Sequence, residues 1–240
     1  MATSLTASPE EGRITLERME GATNYNVWLG RKFREHLGRR ILEVGAGLGT
    51  ITEQIADGRE LVVALEVEEH YVAKLRERFQ GRPQVRPYLS DVALADWASL
   101  KQERFDSVVL SNVLEHIPDD AAAVRRLRDI LEPGGKMVIL VPALERLFGS
   151  LDEAVGHHRR YMPRSLRALL EGNGFAVDSL EWMNLLGIPG WFVNGRVLRR
   201  RVMPPLQLKL YDAVAPLLAR AESIVRLPIG MSLFTVARAV

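Results

Sequence analysis

The sequence predicts an α/β protein: a seven-stranded, mostly parallel sheet with helices on both faces and a helical insertion before the last strand. Three observations predict it. Short apolar runs recur at 40–45, 61–66, 105–112 and 136–141, long enough for buried strands and too short for helices. Segments of helical period stand between several of them, the spacing of βαβ units in a parallel sheet. A glycine-rich segment, Gly45-Ala46-Gly47-Leu48-Gly49, joins the first run to the next helix, where tight turning and close backbone approach are needed.

The elements follow in order. Residues 1–12 read as a loose tail and 14–37 as helix, with Tyr25, Trp28 and Phe33 on it. RILEVG (40–45) is the first strand, and Thr50 with Glu53 offers a capping box for the next helix. LVVALE (61–66) is the second strand, followed by helix over 68–80; VRPYL (85–89) is a third, less marked. FDSVVLSN (105–112) is the fourth, with helix over 119–131, a Glu132-Pro133-Gly134-Gly135 turn and KMVILV (136–141) as the fifth. The alternation then stops, and 143–162 reads as loop or short helix. Helix over 165–175, strand 175–182 and a last strand at 231–240 complete the chain. Three parts are expected: 1–39, a core of 40–184 with 231–240, and an insertion at 185–230 holding Pro189, Pro204, Pro205, Pro216 and Pro228.

Composition narrows the function classes. Of 240 residues, 47% are hydrophobic and 26% charged, a globular balance that rules out wholesale disorder. The net charge of +2 gives no nucleic-acid footprint, and no nucleic-acid partner is expected. That total conceals an asymmetry: 185–230 carries seven Lys/Arg against two acids, or +5, and the remainder 25 against 28, or −3. The absence of cysteine removes disulfides, thiolate nucleophiles and Cys-ligated zinc, and fits a cytoplasmic protein. No apolar run approaches the length of a spanning helix, and the first residues do not read as a secretory signal.

The chemistry converges at the strand ends. The glycines miss the dinucleotide pattern G-x-G-x-x-G/A, because Thr50 stands at its sixth position. Glu43, just before the loop, repels a pyrophosphate and suits a cationic ligand such as an ammonium or sulfonium. Glu66 ends the second strand, where an acid can accept from both hydroxyls of a ribose. Asp91 follows the third and can accept from an adenine amino group, with the Val92 N–H beside it; Ser111-Asn112 closes the fourth at the same edge.

The series EVGAGLG, ALEVEEH, LSDV, FDSVVLSNVLEHIPDD and LEPGGKMVILVP resembles the class I S-adenosylmethionine-dependent methyltransferases over about residues 40–142. That resemblance implies a Rossmann-like methyltransferase fold and S-adenosylmethionine as cofactor, released as S-adenosylhomocysteine. It implies that Gly45, Ala46, Gly47 and Gly49 line the methionine moiety, with Glu43 near its ammonium group. It implies Glu66 and Val67 at the ribose, Asp91 and Val92 at the adenine, and the Asn112 carbonyl toward the amino acid. GHHRRYMPRSLRALLEGNGF is similar to the stretch that follows the core in members acting on small molecules, glycans or lipids. Ser111-Asn112-Val113-Leu114 stands where an adenine-amino methylase of DNA carries Asn/Asp-Pro-Pro-Tyr.

The acceptor side is less legible. His157, His158, Arg159, Arg160 and Tyr161 form a polar cluster, read either as a solvated turn or as an acceptor wall, with His157 as general base and Tyr161 beside it. His116 reads as a loop histidine, and the adjacent His157 and His158 lack a third ligand, so no metal site is expected. Aromatics beside arginine make 185–230 either an acceptor wall or a peripheral membrane contact. The expected function is methyl transfer to an oxygen or nitrogen of a small-molecule or lipid/glycan-type acceptor. Two rivals stay open: an NAD-type oxidoreductase, for which no Tyr-x-x-x-Lys set is found, and a non-catalytic partner subunit that binds the same cofactor.

Overall fold

The computed structural model describes residues 10–240. Two helices, α1 (Glu10–Glu20) and α2 (Thr23–Arg34), precede β1 (Arg40–Val44), α3 (Thr50–Ile55), β2 (Leu61–Glu66), α4 (Glu69–Arg78) and β3 (Val85–Leu89). Then come α5 (Trp97–Lys101), β4 (Phe105–Ser111), α6 (Asp120–Ile130) and β5 (Leu131–Pro142). The second half runs α7 (Ser150–Val155), α8 (Pro163–Glu171), β6 (Phe175–Met183), α9 (Gly187–Trp191), α10 (Pro205–Ile224) and β7 (Ser232–Ala239). Short 3-10 turns stand at Leu114–His116 and Glu145–Leu147, and α9 continues as a π-helical segment over Phe192–Val197.

The seven strands form one sheet in the order β3-β2-β1-β4-β5-β7-β6. β1 to β5 pair in parallel, and β7 runs antiparallel to both β5 and β6. The chain winds outward from β1 to β3, then returns to β4 on the other side of β1. The crevice at the carboxyl ends of β1 and β4 is therefore the switch point, where sheets of this kind bind ligands.

Strand alternation assigns each residue to a face. Leu42 and Val44 join one core with Val108, Leu110, Ile139 and residues of α6 and α8. Ile41 joins the other with Val62, Val109, Phe33 of α2, Ile55 of α3 and Ala215 of α10. Glu43 has the parity of Ile41, so it lies on the α3 side, buried.

Three expectations shift. The single helix expected over 14–37 is broken at Gly21-Ala22, and Asn26 Nδ2 donates to the Met19 and Glu20 carbonyls that the break exposes. Of the tail expected over 1–12, residues 1–9 lie outside the described residues, and Glu10–Gly12 belong to α1. The Thr50–Glu53 capping box does not form. Gly49 occupies the cap with φ of +80°, and Glu53 is drawn instead to Arg82 at 2.7 Å. The insertion is helical as expected, and α10 has an internal proline, Pro216. A proline there leaves the Asp212 carbonyl without its helical donor; Asn24 Nδ2 of α2 donates to it at 3.2 Å.

Candidate functional site

A cavity of about 440 Å³ opens at the switch point. One wall is the glycine loop with Glu43, Glu66, Val67, Tyr71 and Asn112. The opposite wall includes His116, His157, Arg160, Trp191 and Tyr211. Thr15, Leu16 and Met19 of α1 also line it. α1 is tied to the insertion by Arg18, which donates to the Met203 carbonyl at 2.7 Å, and by a Glu11–Arg201 ion pair at 3.2 Å.

The loop is held by backbone and by one acid. Gly45 and Ala46 N–H groups both donate to the Leu65 carbonyl at the end of β2, at 2.8 and 3.1 Å. Gly45 and Gly47 take φ of +70° and +53°, which glycine adopts without steric cost. Glu66 Oε2 accepts from Gly47 N–H at 2.7 Å, and Oε1 accepts from Val67 and Glu68 N–H. A carboxylate offers about four acceptor sites, so three amides leave Glu66 roughly one for a ligand hydroxyl. Glu43 accepts from Thr52 Oγ1 at 2.7 Å; burial, reinforced by Glu66, pushes its carboxyl up to about 7.

Not every expected contact reaches the cavity. Gly49 turns toward α4, where an added Cβ would stand 2.6 Å from the Phe79 ring. Asp91 folds back to accept from Ala93 N–H at 2.7 Å, and Val92 packs into the core; neither lines the cavity. Tyr161 is separated in space from the role paired with His157. Its hydroxyl donates to Asp120 Oδ2 at 2.8 Å inside the core, and its backbone bridges to Ala143 at the end of β5. That bridge sets the position of Arg160 and His157 just before it.

His157 does face the cavity, and its setting was not legible in the sequence. Its Nδ1 lies 2.8 Å from Asp152 Oδ1, and Nε2 lies 3.7 Å from Glu115 Oε1. Asp152 is buried. It also accepts from Arg160 Nε at 2.8 Å, from Trp191 Nε1 at 3.0 Å and from Gly149 N–H at 3.0 Å. Burial works to raise the Asp152 pKa, but His157 and Arg160 outweigh it and hold the carboxyl below its usual value. An ionised Asp152 fixes the His157 proton on Nδ1 and leaves Nε2 as the basic atom. Burial lowers the His157 pKa, so the ring is held neutral.

Glu115 is fully buried, with no hydrogen-bond partner for either oxygen among the described residues, and burial pushes it up to about 8. His116 stacks edge-on against His157 at 4.7 Å and is pushed down to about 3, first by burial and then by that neighbour. Glu115, His116 and His157 place their ligand atoms within 4.8 Å of one another, a donor set that could hold a metal ion. The sequence shows only the adjacent His157 and His158, which lack a third ligand. The tighter set needs the 3-10 turn that folds Leu114–His116 back toward the segment after α7. Asp152 gives no signal, standing in a stretch that reads as loop or short helix, and nothing in the sequence singles out Glu115.

The charges lining the cavity favour a cation. Glu20 is paired with Arg78 at 2.8 Å, but Glu43, Glu66 and Glu68 stand against a single lining arginine, Arg160, which Asp152 already neutralises. The Tyr71 hydroxyl lies buried on the Glu66 wall without a hydrogen-bond partner among the described residues, a polar atom that a bound ligand hydroxyl can satisfy. A family profile described as "Methyltransferase domain" matches residues 22–180. The chain belongs to the class I S-adenosylmethionine-dependent methyltransferases.

Among relatives of this methyltransferase, a ubiquinone biosynthesis O-methyltransferase of Aeromonas salmonicida is 24% identical over 184 residues, 70% of this chain and 76% of its own. A protein of Mycolicibacterium smegmatis named a probable S-adenosylmethionine-dependent methyltransferase is 31% identical over 186 residues, 72% of this chain and 68% of its own. The N-methyltransferase NodS of Bradyrhizobium japonicum, solved with S-adenosylhomocysteine, superposes with a TM-score of 0.54 at 14% identity, covering 85% of this chain and 79% of its own. The cofactor is S-adenosylmethionine, and the methyltransferase is an enzyme, which removes both the NAD-type oxidoreductase and the non-catalytic subunit. The buried acids and cation-favouring cavity fit that cofactor, as Glu43 alone suggested.

Proposed function

We propose that the methyltransferase methylates a hydroxyl oxygen of a small, largely apolar or lipid-like acceptor, with His157 taking the proton. The observation that carries this reading is the Asp152–His157 pair, which stands on the same cavity as the glycine loop. When bound, the cofactor supplies a methyl group on positively charged sulfur. The backbone of Gly45, Ala46 and Gly47 cradles its amino-acid end, with the Asn112 carbonyl facing it. Glu66 and the Tyr71 hydroxyl take the ribose, and Glu43 faces the ammonium. Asp91, Val92 and Gly49 act one layer out, holding the loops that shape the site.

Alignment and water exclusion contribute most of the rate in such a displacement. A neutral hydroxyl still needs a base, and His157 Nε2 has the protonation state and freedom for it. Leu186, Trp191, Met203, Leu208 and Met231 give the acceptor wall an apolar character, which supports an apolar ring or chain. The curated relatives named O-methyltransferases support oxygen over nitrogen.

Methyl-labelled cofactor with a panel of phenols, alkyl phenols and matching amines tests this. Wild type is expected to label hydroxyls, and His157→Ala to lower kcat about 100- to 1,000-fold with S-adenosylhomocysteine affinity unchanged. Full transfer by His157→Ala, or preference for the amines, overturns the reading.

A further inference from the structure

Helix α10 turns three of its polar side chains toward the protein. Asp212 Oδ1 accepts from Tyr25 N–H at 2.8 Å, Glu222 accepts from Asn184 N–H at 3.0 Å, and Gln207 Oε1 accepts from Asn194 Nδ2 at 2.7 Å. Leu208, Tyr211 and Ala215 pack inward, but five large apolar side chains face outward: Leu206, Leu210, Val214, Leu217 and Ile224 recur at helical spacing, and Leu217 is 71% exposed. The π-helical segment before it adds exposed Phe192 and Val197, followed by Leu198. Among the described residues, 13 of the 18 exposed large hydrophobic residues lie in 185–229. A surface helix ordinarily buries its apolar stripe, and a contiguous apolar face left outside marks an interaction surface.

Charge identifies the occupant. All seven Lys/Arg of 185–230 are exposed. The two acids there, Asp212 and Glu222, are turned inward onto backbone N–H groups. The outer face therefore mixes apolar side chains with cations, of which Arg201 alone is paired with an acid, Glu11, among the described residues. A second copy of this chain paired through the same face would set these cations against each other. We infer that this face docks on an anionic lipid bilayer, with the apolar side chains seated at the headgroup boundary and the arginines and Lys209 among the phosphates. No described helix is long and apolar enough to cross a membrane, so the contact is peripheral. Gln207, Leu208 and Tyr211, on the inner side of the same helix, line the cavity. Docking therefore puts the acceptor wall next to the bilayer, where a lipid-like acceptor resides. The inference stands on α10 alone and does not depend on the identity of the acceptor or on His157.

Flotation with phosphatidylcholine vesicles, with and without phosphatidylglycerol, tests it on the full chain. Wild type is expected to float with the anionic vesicles only, and less so at high salt. Leu210→Gln/Leu217→Gln should stay at the bottom. Arg220→Glu/Arg226→Glu, at exposed positions where folding is not at stake, should lose roughly tenfold or more in partitioning. Each variant should keep its thermal shift with S-adenosylhomocysteine, so a failure here is distinct from a failure of the methyl-transfer reading. No flotation of wild type, equal flotation on phosphatidylcholine alone, or variants that float like wild type overturns the inference. So does a lipid-free dimer that the leucine pair dissolves.

Discussion

On the cofactor side of the cavity, the polar groups come from contiguous strand ends and the turns that follow them. On the acceptor side they come from segments far apart in the chain. Glu43, Gly45, Gly47 and Glu66 span the ends of β1 and β2, and the loop amides and Glu66 already satisfy one another. His157 depends on Asp152 from α7, Trp191 from α9 and Glu115 from the turn after β4. The first wall is set by local backbone geometry and the second by a buried polar network. A network in a low-dielectric interior is costly to leave half made, so the two walls should fail differently.

The largest effect is expected at the centre of that network. Asp152→Ala leaves Arg160 buried without its counter-charge, the Asp152 side chain being 0% and the Arg160 side chain 1% exposed. Breaking such a pair costs about 3–5 kcal/mol, and calorimetry should show the unfolding midpoint lower by roughly 10 °C. A midpoint unchanged within error would show that the two walls are equally tolerant. Next is Glu66→Ala, which removes the acceptor of three amides together with the proposed ribose acceptor. Titration calorimetry should find S-adenosylhomocysteine bound roughly 100-fold more weakly, with far less loss of stability than at Asp152.

A smaller effect sharpens the comparison through pH. Glu43, raised to about 7, is protonated below that pH in the free protein and ionised above it. A cationic ligand group prefers the ionised form, so affinity should rise with pH and be about tenfold higher at pH 8 than at pH 6. Glu43→Gln should flatten this profile. Stability runs the other way. The folded protein holds the proton more tightly than the unfolded chain, so the contribution of Glu43 is lost as pH rises from about 4.5 toward 7. A wild-type affinity independent of pH would remove Glu43 from contact with the ligand.

The sheet was legible because each strand is a contiguous apolar run, and the glycine loop because its backbone demands are local. What failed also has a physical cause. The Thr50–Glu53 box lost to Gly49, whose left-handed conformation already ends the loop. Asp91 and Tyr161 lie at the expected heights in the chain but turn away, because a side chain's direction depends on the partner it finds, here Ala93 N–H and Asp120. The family match ends at residue 180, and the insertion beyond it is where polar and apolar faces exchange places. Composition showed its charge there, but only tertiary contacts reveal which side of α10 looks out.

Pro216 has a bearing on that choice. Its missing donor frees one carbonyl on α10, which Asn24 answers from α2. Rotating α10 to bury its leucines would pull that carbonyl, and Asp212 with it, away from α2. The proline and asparagine thus work as a key and keyway. With the inward contacts of Gln207 and Glu222 they seat the helix at one angle, and the greasy side stays outward even though burial of apolar surface alone would turn it in.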